Sequence, residues 1–425
     1  MRQGGRLAAA VEVLDAITTR HRPVAEALKD WGVAHRFAGS GDRAAIGNLV
    51  YDALRWRLSN MSAMGEETPR ALVLATVGMR WGLGSAGVTA ILTGDPHAPE
   101  PLTAKEAECI DTPQPDIPGH IQADLPLWVA ARLERVFGEG WVEEGKALAL
   151  RPPLDMRVNR LKADRSKVEK ALARNGTVAT RFSPDGLRIA ATSGEGRHPN
   201  VQTEPAFQKG WFEVQDEGSQ IAALLVGAKA GEQVLDLCAG AGGKTLALAA
   251  IMANKGQVFA TDSDRTRLAP IFDRLKRAGA RNVQVREAGA PLDALDGRMD
   301  AVLIDAPCTG SGVWRRRPDA KWRLTEKAVG ERVAEQAALL RSAIRYLKPG
   351  GRLVYVTCSL LPDENEDQVA ALLAATPGLA SVSPSEAAAV IPGLAEAALL
   401  TATGIILTPR RTGTDGFFVS VMRKQ

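Results

Sequence analysis

Hydrophobic residues recur at steps of three and four over roughly the first 90 residues of the chain. Two stripes show the spacing most clearly: Leu7, Val11, Leu14 and Ile17, and then Ile46, Leu49, Val50 and Leu54. Because this spacing places side chains on one face of a helix, it predicts amphipathic helices. No strand-like alternation interrupts the region, so residues 1–110 are predicted to form an all-helical domain.

Prolines mark the next boundary. Residues 95–127 contain seven of them, and proline at this density disfavours regular structure, so residues 111–127 are predicted to be a linker. Residues 128–209 then combine helical patterns with two strand-like segments, at 154–159 and 186–190. This mixture indicates a small α+β module.

From residue 210 the pattern changes to short apolar strands that alternate with helices. The strands are predicted at 233–237, 257–262, 283–285, 301–305, 352–357 and 416–421. Such alternation is typical of a parallel sheet with helices on both faces. Residues 210–425 are therefore predicted to form an α/β domain.

Composition and charge narrow the function only slightly. The 425 residues carry a net charge of +4, which permits a nucleic-acid partner without requiring one. No apolar run approaches the roughly 20 residues that span a bilayer, and no signal peptide is recognisable, so a cytoplasmic protein without a membrane partner is expected. The five histidines and four cysteines match no metal-ligand spacing, so no metal is expected. We expect a monomer.

A glycine-rich turn follows the first strand of the α/β domain. Glycines let a ligand approach the backbone, and ligands of doubly wound folds lie beyond the carboxyl ends of the strands. A P-loop needs glycine at position 238, which is cysteine here, and a dinucleotide fingerprint needs a small residue where Thr245 lies. A methyltransferase loop fits better, because Asp262 ends the second strand, where an acid can bind ribose hydroxyls. The alternative is a turn that serves only packing. The candidate loop residues are Cys238, Ala239, Gly240, Ala241, Gly242, Gly243 and Lys244.

Two cysteines follow two other strands. Cys308 lies just after the fourth strand, close to Asp305, and Cys358 follows the fifth. The strand-end rule predicts that all three converge near the glycine turn. A single cysteine is more often a small buried hydrophobe. Two thiols at this edge instead favour nucleophilic chemistry, because a thiolate that adds to C6 of cytosine makes C5 able to attack a methyl sulfonium. A carboxyl such as Asp305 can contact the base edge.

In combination, these motifs resemble the Nop/Sun (Fmu) family of RNA cytosine-C5 methyltransferases. The resemblance rests on residues 238–245, 305–308, 357–359 and 415–418, with support from 154–162 and 214–220. It implies an α/β, class I Rossmann-like methyltransferase domain with a doubly wound, mostly parallel seven-stranded sheet. It also implies an RRM-like character for the small module and a NusB-like, RNA-binding character for the N-terminal helices.

Carried over residue by residue, the resemblance implies that Cys358 is the nucleophile and that Cys308 assists product release. It implies S-adenosylmethionine as cofactor, bound by residues 238–244, Asp262 and Asp305, and 16S ribosomal RNA as substrate. Family members often carry an aspartate near the adenine after the third strand. This chain has Gly289 there, with Glu287 as the alternative contact.

Basic and aromatic residues after the Cys308 loop predict an RNA contact, because cations neutralise phosphates and aromatic rings stack on bases. The expected RNA-binding residues are Trp314, Arg315, Arg316, Arg317 and Lys321. The alternative is the solvated start of a surface helix. Two other functions are weighed as well. A DNA cytosine-C5 methyltransferase would use the Pro-Cys thiol and leave Cys358 without a role. A non-catalytic, antitermination-like RNA-binding module would leave the glycine turn and both thiols unexplained.

Overall fold

The computed structural model describes residues 1–20, 22–112 and 116–425, so residues 113–115 of the predicted linker lie outside the described residues. The α-helices are α1 (Gln3–Arg20), α2 (Val24–Ala34), α3 (Ser40–Arg55), α4 (Arg57–Met64), α5 (Pro69–Ala75), α6 (Gly84–Leu92), α7 (Ala104–Asp111), α8 (Gly119–Gln122), α9 (Leu127–Phe137), α10 (Trp141–Leu148), α11 (Arg165–Ala171), α12 (Pro205–Gln208), α13 (Glu217–Leu225), α14 (Gly243–Ile251), α15 (Arg265–Leu268), α16 (Ile271–Ala278), α17 (Pro318–Arg323), α18 (Glu326–Ala343), α19 (Glu366–Ala375), α20 (Pro384–Ala389) and α21 (Leu394–Ala397). The strands are β1 (Leu154–Val158), β2 (Val178–Ala179), β3 (Gly186–Ile189), β4 (Phe212–Val214), β5 (Gln233–Asp236), β6 (Gln257–Ala260), β7 (Val283–Val285), β8 (Met299–Asp305), β9 (Leu347–Thr357), β10 (Leu379–Ser381), β11 (Leu399–Leu400), β12 (Ile405–Leu407) and β13 (Phe417–Lys424).

The chain divides into two compact units. The first comprises Met1–Pro152, Ala191–His198 and Trp314–Leu324, and the second comprises Pro153–Ala190, Pro199–Val313 and Thr325–Gln425. Helices α9 and α10 belong to the first of these units, and the domain boundaries given in the sequence analysis stay predictions. Over the described part of the chain, no helix is both long and apolar enough to cross a membrane.

The first unit is helical, as the periodicity predicts. Every member of the two predicted stripes except Val11 is buried, and Val11 is partly buried against the same core. Helix α7 begins with a capping box, in which the Thr103 hydroxyl accepts from the Glu106 amide and the Glu106 carboxylate accepts from the Thr103 amide. The likeness of this unit to a NusB-like domain stays a prediction.

The second unit contains a small antiparallel sheet with the strand order β2-β3-β1-β4. Its core includes Met156, Val158, Leu187 and Phe212. Because Phe212 of β4 pairs with Val158 of β1, the small sheet extends beyond the predicted boundary at residue 209.

The large sheet of the second unit has a Rossmann-like α/β arrangement, with the order β11-β12-β13-β9-β8-β5-β6-β7 and β10 paired to β13. In the sheet, the five neighbouring strands β9, β8, β5, β6 and β7 pair parallel to one another. The strands β10, β11, β12 and β13 form antiparallel pairs, and β13 joins them to β9. The prediction of a mostly parallel, seven-stranded sheet is therefore corrected to a mixed, nine-stranded sheet within the described residues. The strands β10 and β11 have three and two residues, too few for a hydrophobic pattern to reveal.

The carboxyl ends of β5, β6, β8 and β9 lie along one edge of this sheet, because these strands are parallel neighbours. Asp236 of β5 is in register with Ala260 of β6, and Asp305 of β8 with Val356 of β9. The loops that carry the predicted site residues leave the sheet at this edge, where doubly wound folds bind their ligands.

Candidate active site

The two predicted thiols lie in contact. Cys308 follows β8 by three residues, Cys358 is the first residue after β9, and their Sγ atoms are 3.4 Å apart. Both side chains are partly buried. The parallel pairing of the two strands carries their loops out of the sheet together, so the predicted convergence of the two cysteines is observed.

Hydrogen bonds between the two loops fix this approach. The Gly312 amide donates to the Cys358 carbonyl at 2.9 Å, and the Leu360 amide donates to the Ser311 hydroxyl at 2.7 Å. Gly312 is also packed directly against the main chain of Gly416, where a Cβ atom would clash with the carbonyl group. The loop thus requires a glycine here, and the sulfur positions depend on bonds between loops that are distant in sequence.

The surroundings of Cys308 disfavour its thiolate form. The hydrogen bond with Cys358, followed by burial and the nearby charges of Cys358 and Glu364, raises the pKa of the Cys308 thiol well above its ordinary value. Cys308 therefore stays protonated at neutral pH, and its S–H can donate to the Cys358 sulfur. Such a pair can present one sulfur as nucleophile and the other as hydrogen-bond donor.

The glycine turn connects β5 to α14 and is pinned to the end of β6. The Gly240 amide donates to the buried Asp262 carboxylate at 2.8 Å, and the Ala239 amide donates to the Thr261 carbonyl at 2.8 Å. Gly242 has a φ of +84°, and a Cβ there would lie 2.5 Å from Ile271. The turn and Asp262 are therefore close together, as predicted from the strand ends.

An ion pair joins the glycine turn to the cysteine loop. The Lys244 ammonium, in the first turn of α14, lies 2.7 Å from the carboxylate of Asp305, which ends β8. At the end of the neighbouring strand β5, burial raises the pKa of Asp236 to about 7, although a hydrogen bond from the Thr245 hydroxyl at 2.7 Å opposes the shift. The sequence identified Lys244 and Asp305 as site residues but gave no indication that they pair.

Glu287 and Gly289 follow the third strand of the α/β domain, β7. Gly289 has a φ of +76°, which favours glycine. Glu287 lines a surface cavity together with Val285, Ala288 and Phe272. Glu287 therefore stays the predicted alternative for the adenine contact.

The predicted RNA-binding segment requires a correction. Trp314, Arg315 and Lys321 are buried within the helical unit, and so they do not form an exposed surface. The Lys321 ammonium donates to the Arg55 carbonyl at 3.3 Å, and the neighbouring indole of Trp322 donates to the Leu54 carbonyl at 2.7 Å. These are the last carbonyls of α3, which lack partners within the helix. The segment satisfies them, which is a structural role. Arg317 is exposed and Arg316 partly exposed, so the prediction of RNA contact stays with these two residues.

Sequence reasoning missed several polar residues around the thiols. Glu364 and Asn365 follow Cys358 closely and are fully buried, as is Gln336 of α18. The signal in the sequence was the acidic run at residues 363–367, which begins five residues after the predicted nucleophile at the strand end.

Comparison with known proteins finds family matches for two regions of the chain. Residues 223–423 match the family model described as 16S rRNA methyltransferase RsmB/F, and residues 125–193 match the ferredoxin-like domain of RsmF/B-like methyltransferases. Ribosomal RNA small subunit methyltransferase B of Klebsiella pneumoniae is 38% identical over 256 residues, which cover 59% of this chain and 58% of that protein. The protein of the same name from Sodalis glossinidius is 37% identical over 304 residues, with 71% and 66% covered. The match thus spans less than two thirds of these relatives.

A solved structure extends the likeness to the whole chain. The crystal structure of PH0851 is 27% identical in sequence, with a TM-score of 0.72, and the match covers 100% of this chain and 99% of that one.

Proposed function

This chain belongs, through residues 223–423, to the RsmB/F family of 16S rRNA methyltransferases, and from that premise we propose that it methylates C5 of a cytosine in small-subunit ribosomal RNA. Cys358 is the nucleophile and Cys308 assists release. The observation that carries the proposal is the 3.4 Å separation of the two sulfurs, each at a strand end beside the glycine turn.

The glycine turn and its neighbours suit S-adenosylmethionine. The buried carboxylate of Asp262 is an acceptor for ribose hydroxyls, and Gly240, at a φ of +49°, leaves the backbone open to a ligand. Lys244 and Asp305 offer opposite charges to the amino-acid end of the cofactor. Residues 238–244, Asp262 and Asp305 are thus the proposed cofactor site. When bound, the cofactor supplies an electrophilic methyl group on a sulfonium centre.

The protein's residues activate the base. The Cys358 thiolate adds to C6, which places on C5 the electron density needed for methyl transfer. Loss of the C5 proton to a base then restores the C5–C6 double bond and expels Cys358 as a thiolate. The protonated Cys308 donates a hydrogen bond to the departing sulfur, and Asp305 contacts the base edge.

Substitution of each thiol tests the assignment. We expect Cys358→Ala to abolish transfer of a radiolabelled methyl group to ribosomal RNA and to form no covalent adduct. Cys308→Ala should permit the first step and stall release, so a protein–RNA adduct that survives denaturing electrophoresis should accumulate. The adduct should be absent from the double variant. Cys109→Ala, which changes a partly buried thiol of the helical unit, is the matched control and should behave as the wild type.

The competing functions give different outcomes. An adduct that is trapped by Cys358→Ala and lost in Cys308→Ala would assign the nucleophile to the Pro-Cys thiol, as in DNA cytosine-C5 methylation. Absence of methyl transfer by the wild type to either RNA or DNA would favour a non-catalytic RNA-binding module. Mapping of bisulfite-resistant cytosines with and without the gene would identify the target nucleotide.

A further inference from the structure

Two consecutive polar residues between β9 and α19 are fully buried. Glu364 and Asn365 are each 0% exposed, although they belong to a run of polar and acidic residues. The reaction described above uses neither of them. A buried carboxylate and a buried amide are costly unless their hydrogen-bonding atoms are satisfied, so their partners indicate their role.

Glu364 is linked to both sides of Cys308, directly to Thr309 and through Gln336 to Pro307. Its carboxylate accepts from the Thr309 amide at 2.8 Å and from the Thr309 hydroxyl at 2.5 Å. On the other side, the amide group of Gln336 lies 3.0 Å from the Glu364 carboxylate and 2.9 Å from the Pro307 carbonyl, and it donates to both. The residues that flank Cys308 are therefore held from separate elements of the second unit.

Asn365 is bonded directly to both neighbours of Cys358. Its side-chain oxygen accepts from the Thr357 hydroxyl at 2.5 Å, and its side-chain nitrogen donates to the Ser359 carbonyl at 2.9 Å. The tyrosine hydroxyl of Tyr355 also donates to the Glu364 carbonyl at 2.7 Å, which anchors the peptide between the two residues.

We infer that Glu364 and Asn365 are positioning residues that fix where the two thiols lie relative to each other. Asn365 positions Cys358 for attack, and Glu364 positions Cys308 to assist release. The inference rests on the proposed function. Because the two residues are joined by one planar peptide, a shift of one thiol relative to the other must strain that peptide or break a buried hydrogen bond. Reactions of this kind depend steeply on the alignment of the reacting atoms.

Because Glu364 holds the loop of Cys308 and Asn365 holds the loop of Cys358, we expect the two residues to affect different steps. With Glu364→Gln, we expect methyl transfer in a single turnover to stay within about twofold of the wild type, while steady-state turnover falls about tenfold and the adduct accumulates. With Asn365→Ala, we expect adduct formation itself to slow about tenfold, with no accumulation. Asp367→Asn removes an exposed charge from the same segment and should change neither step.

A matched pair of milder variants covers the case in which a primary variant fails to fold. Thr309→Val removes the hydroxyl that donates to Glu364, and Thr357→Val removes the one that donates to Asn365. The first should reproduce the release defect and the second the attack defect. If the variants on the two sides slowed both steps alike, the residues would have only a general structural role and the inference would be overturned.

A readout without RNA separates this inference from the proposed function. Glu364 contributes to the high pKa of Cys308, after the Cys358 hydrogen bond and burial, so Glu364→Gln should lower that pKa and speed alkylation of Cys308 by iodoacetamide at pH 8. Asn365→Ala should not. Unchanged alkylation in Glu364→Gln would count against the inference even if methylation proceeds through Cys358. Methyl transfer that survives Cys358→Ala would instead overturn the proposed function.

Discussion

The ammonium of Lys244 and the carboxylate of Asp305 form an ion pair of 2.7 Å that links the glycine turn to the strand end before Cys308. The lysine side chain is 7% exposed and the aspartate 35%, so the pair is buried at one end and open at the other. A buried charge that loses its partner is strongly destabilised. The pair therefore couples the geometry of the glycine turn to that of the loop that carries Cys308.

Lys244→Met should weaken binding of the cofactor and slow methyl transfer, because it removes the positive charge opposite Asp305. Loss of a charge-assisted hydrogen bond costs about 1.5–3 kcal/mol, so we expect the affinity to fall about tenfold or more. Calorimetric titration with S-adenosylmethionine measures the change. Lys255→Met, at an exposed lysine beyond the end of α14, is the matched control. An affinity equal to that of the wild type would exclude Lys244 from the cofactor site.

Asp262→Ala should also reduce cofactor affinity, roughly tenfold to a hundredfold, because it removes the acceptor proposed for the ribose hydroxyls. The same change frees the Gly240 amide, which donates to this carboxylate at 2.8 Å, so some loosening of the turn is expected as well. Asp273→Ala, at an exposed position of α16, serves as the control. Calorimetry that shows unchanged affinity in Asp262→Ala would contradict the assignment.

Asp236 should make stability depend on pH. Its pKa is raised by burial to about 7, whereas an aspartate in the unfolded chain titrates near 3.8. Between these values the folded protein keeps a proton that the unfolded chain has lost, so the contribution of Asp236 to stability falls as pH rises and levels off above about 7. The slope is at most about 1.4 kcal/mol per pH unit.

Asp236→Asn cannot titrate and should lose this dependence. Urea unfolding of both proteins at pH 5 and pH 8 measures the effect. The variant should gain free energy of unfolding relative to the wild type at the higher pH. Parallel changes in the two proteins would show that Asp236 keeps an ordinary pKa in the folded state.

The parts of the fold that could be predicted are those set by local burial. Leu7, Leu14 and Ile17 line the core of the helical unit because their spacing matches one helix face. Similarly, the proximity of Gly240 to Asp262, and of Cys308 to Cys358, follows from the rule that parallel neighbouring strands end at one edge. In each case the residues that come together are either close in sequence or lie at the ends of neighbouring parallel strands.

The parts that could not be predicted depend on partners that are distant in sequence. Glu364 belongs to a polar run that by composition looks solvated, and its burial depends on Thr309 and Gln336, which are 55 and 28 residues away. Arg315 lies in a basic segment that suggested an RNA surface, yet its carbonyl accepts from Arg55, 260 residues away. No local pattern encodes such pairings.

The predicted RNA contact and the structural role of the basic segment can be tested separately. Arg317 is exposed, so Arg317→Ala should weaken binding of ribosomal RNA and reduce the steepness with which affinity falls with salt. Loss of one phosphate contact should change the slope of log affinity against log salt concentration by about 0.7 for a single strand or about 0.9 for a duplex. Filter binding over a salt series measures this slope. Cofactor affinity should be unaffected.

Lys321 should behave in the opposite way. Burial lowers its pKa to about 8, and its ammonium donates to the Arg55 carbonyl at the end of α3. Lys321→Met should therefore leave RNA affinity and its salt slope unchanged and reduce the free energy of unfolding by about 1–3 kcal/mol, since it leaves a buried carbonyl without its donor. Urea unfolding and the same filter-binding series measure the two effects on one preparation. A folded Lys321→Met protein with weakened, less salt-dependent RNA binding would restore Lys321 to the RNA surface, and unchanged binding by Arg317→Ala would show that the segment serves the fold alone.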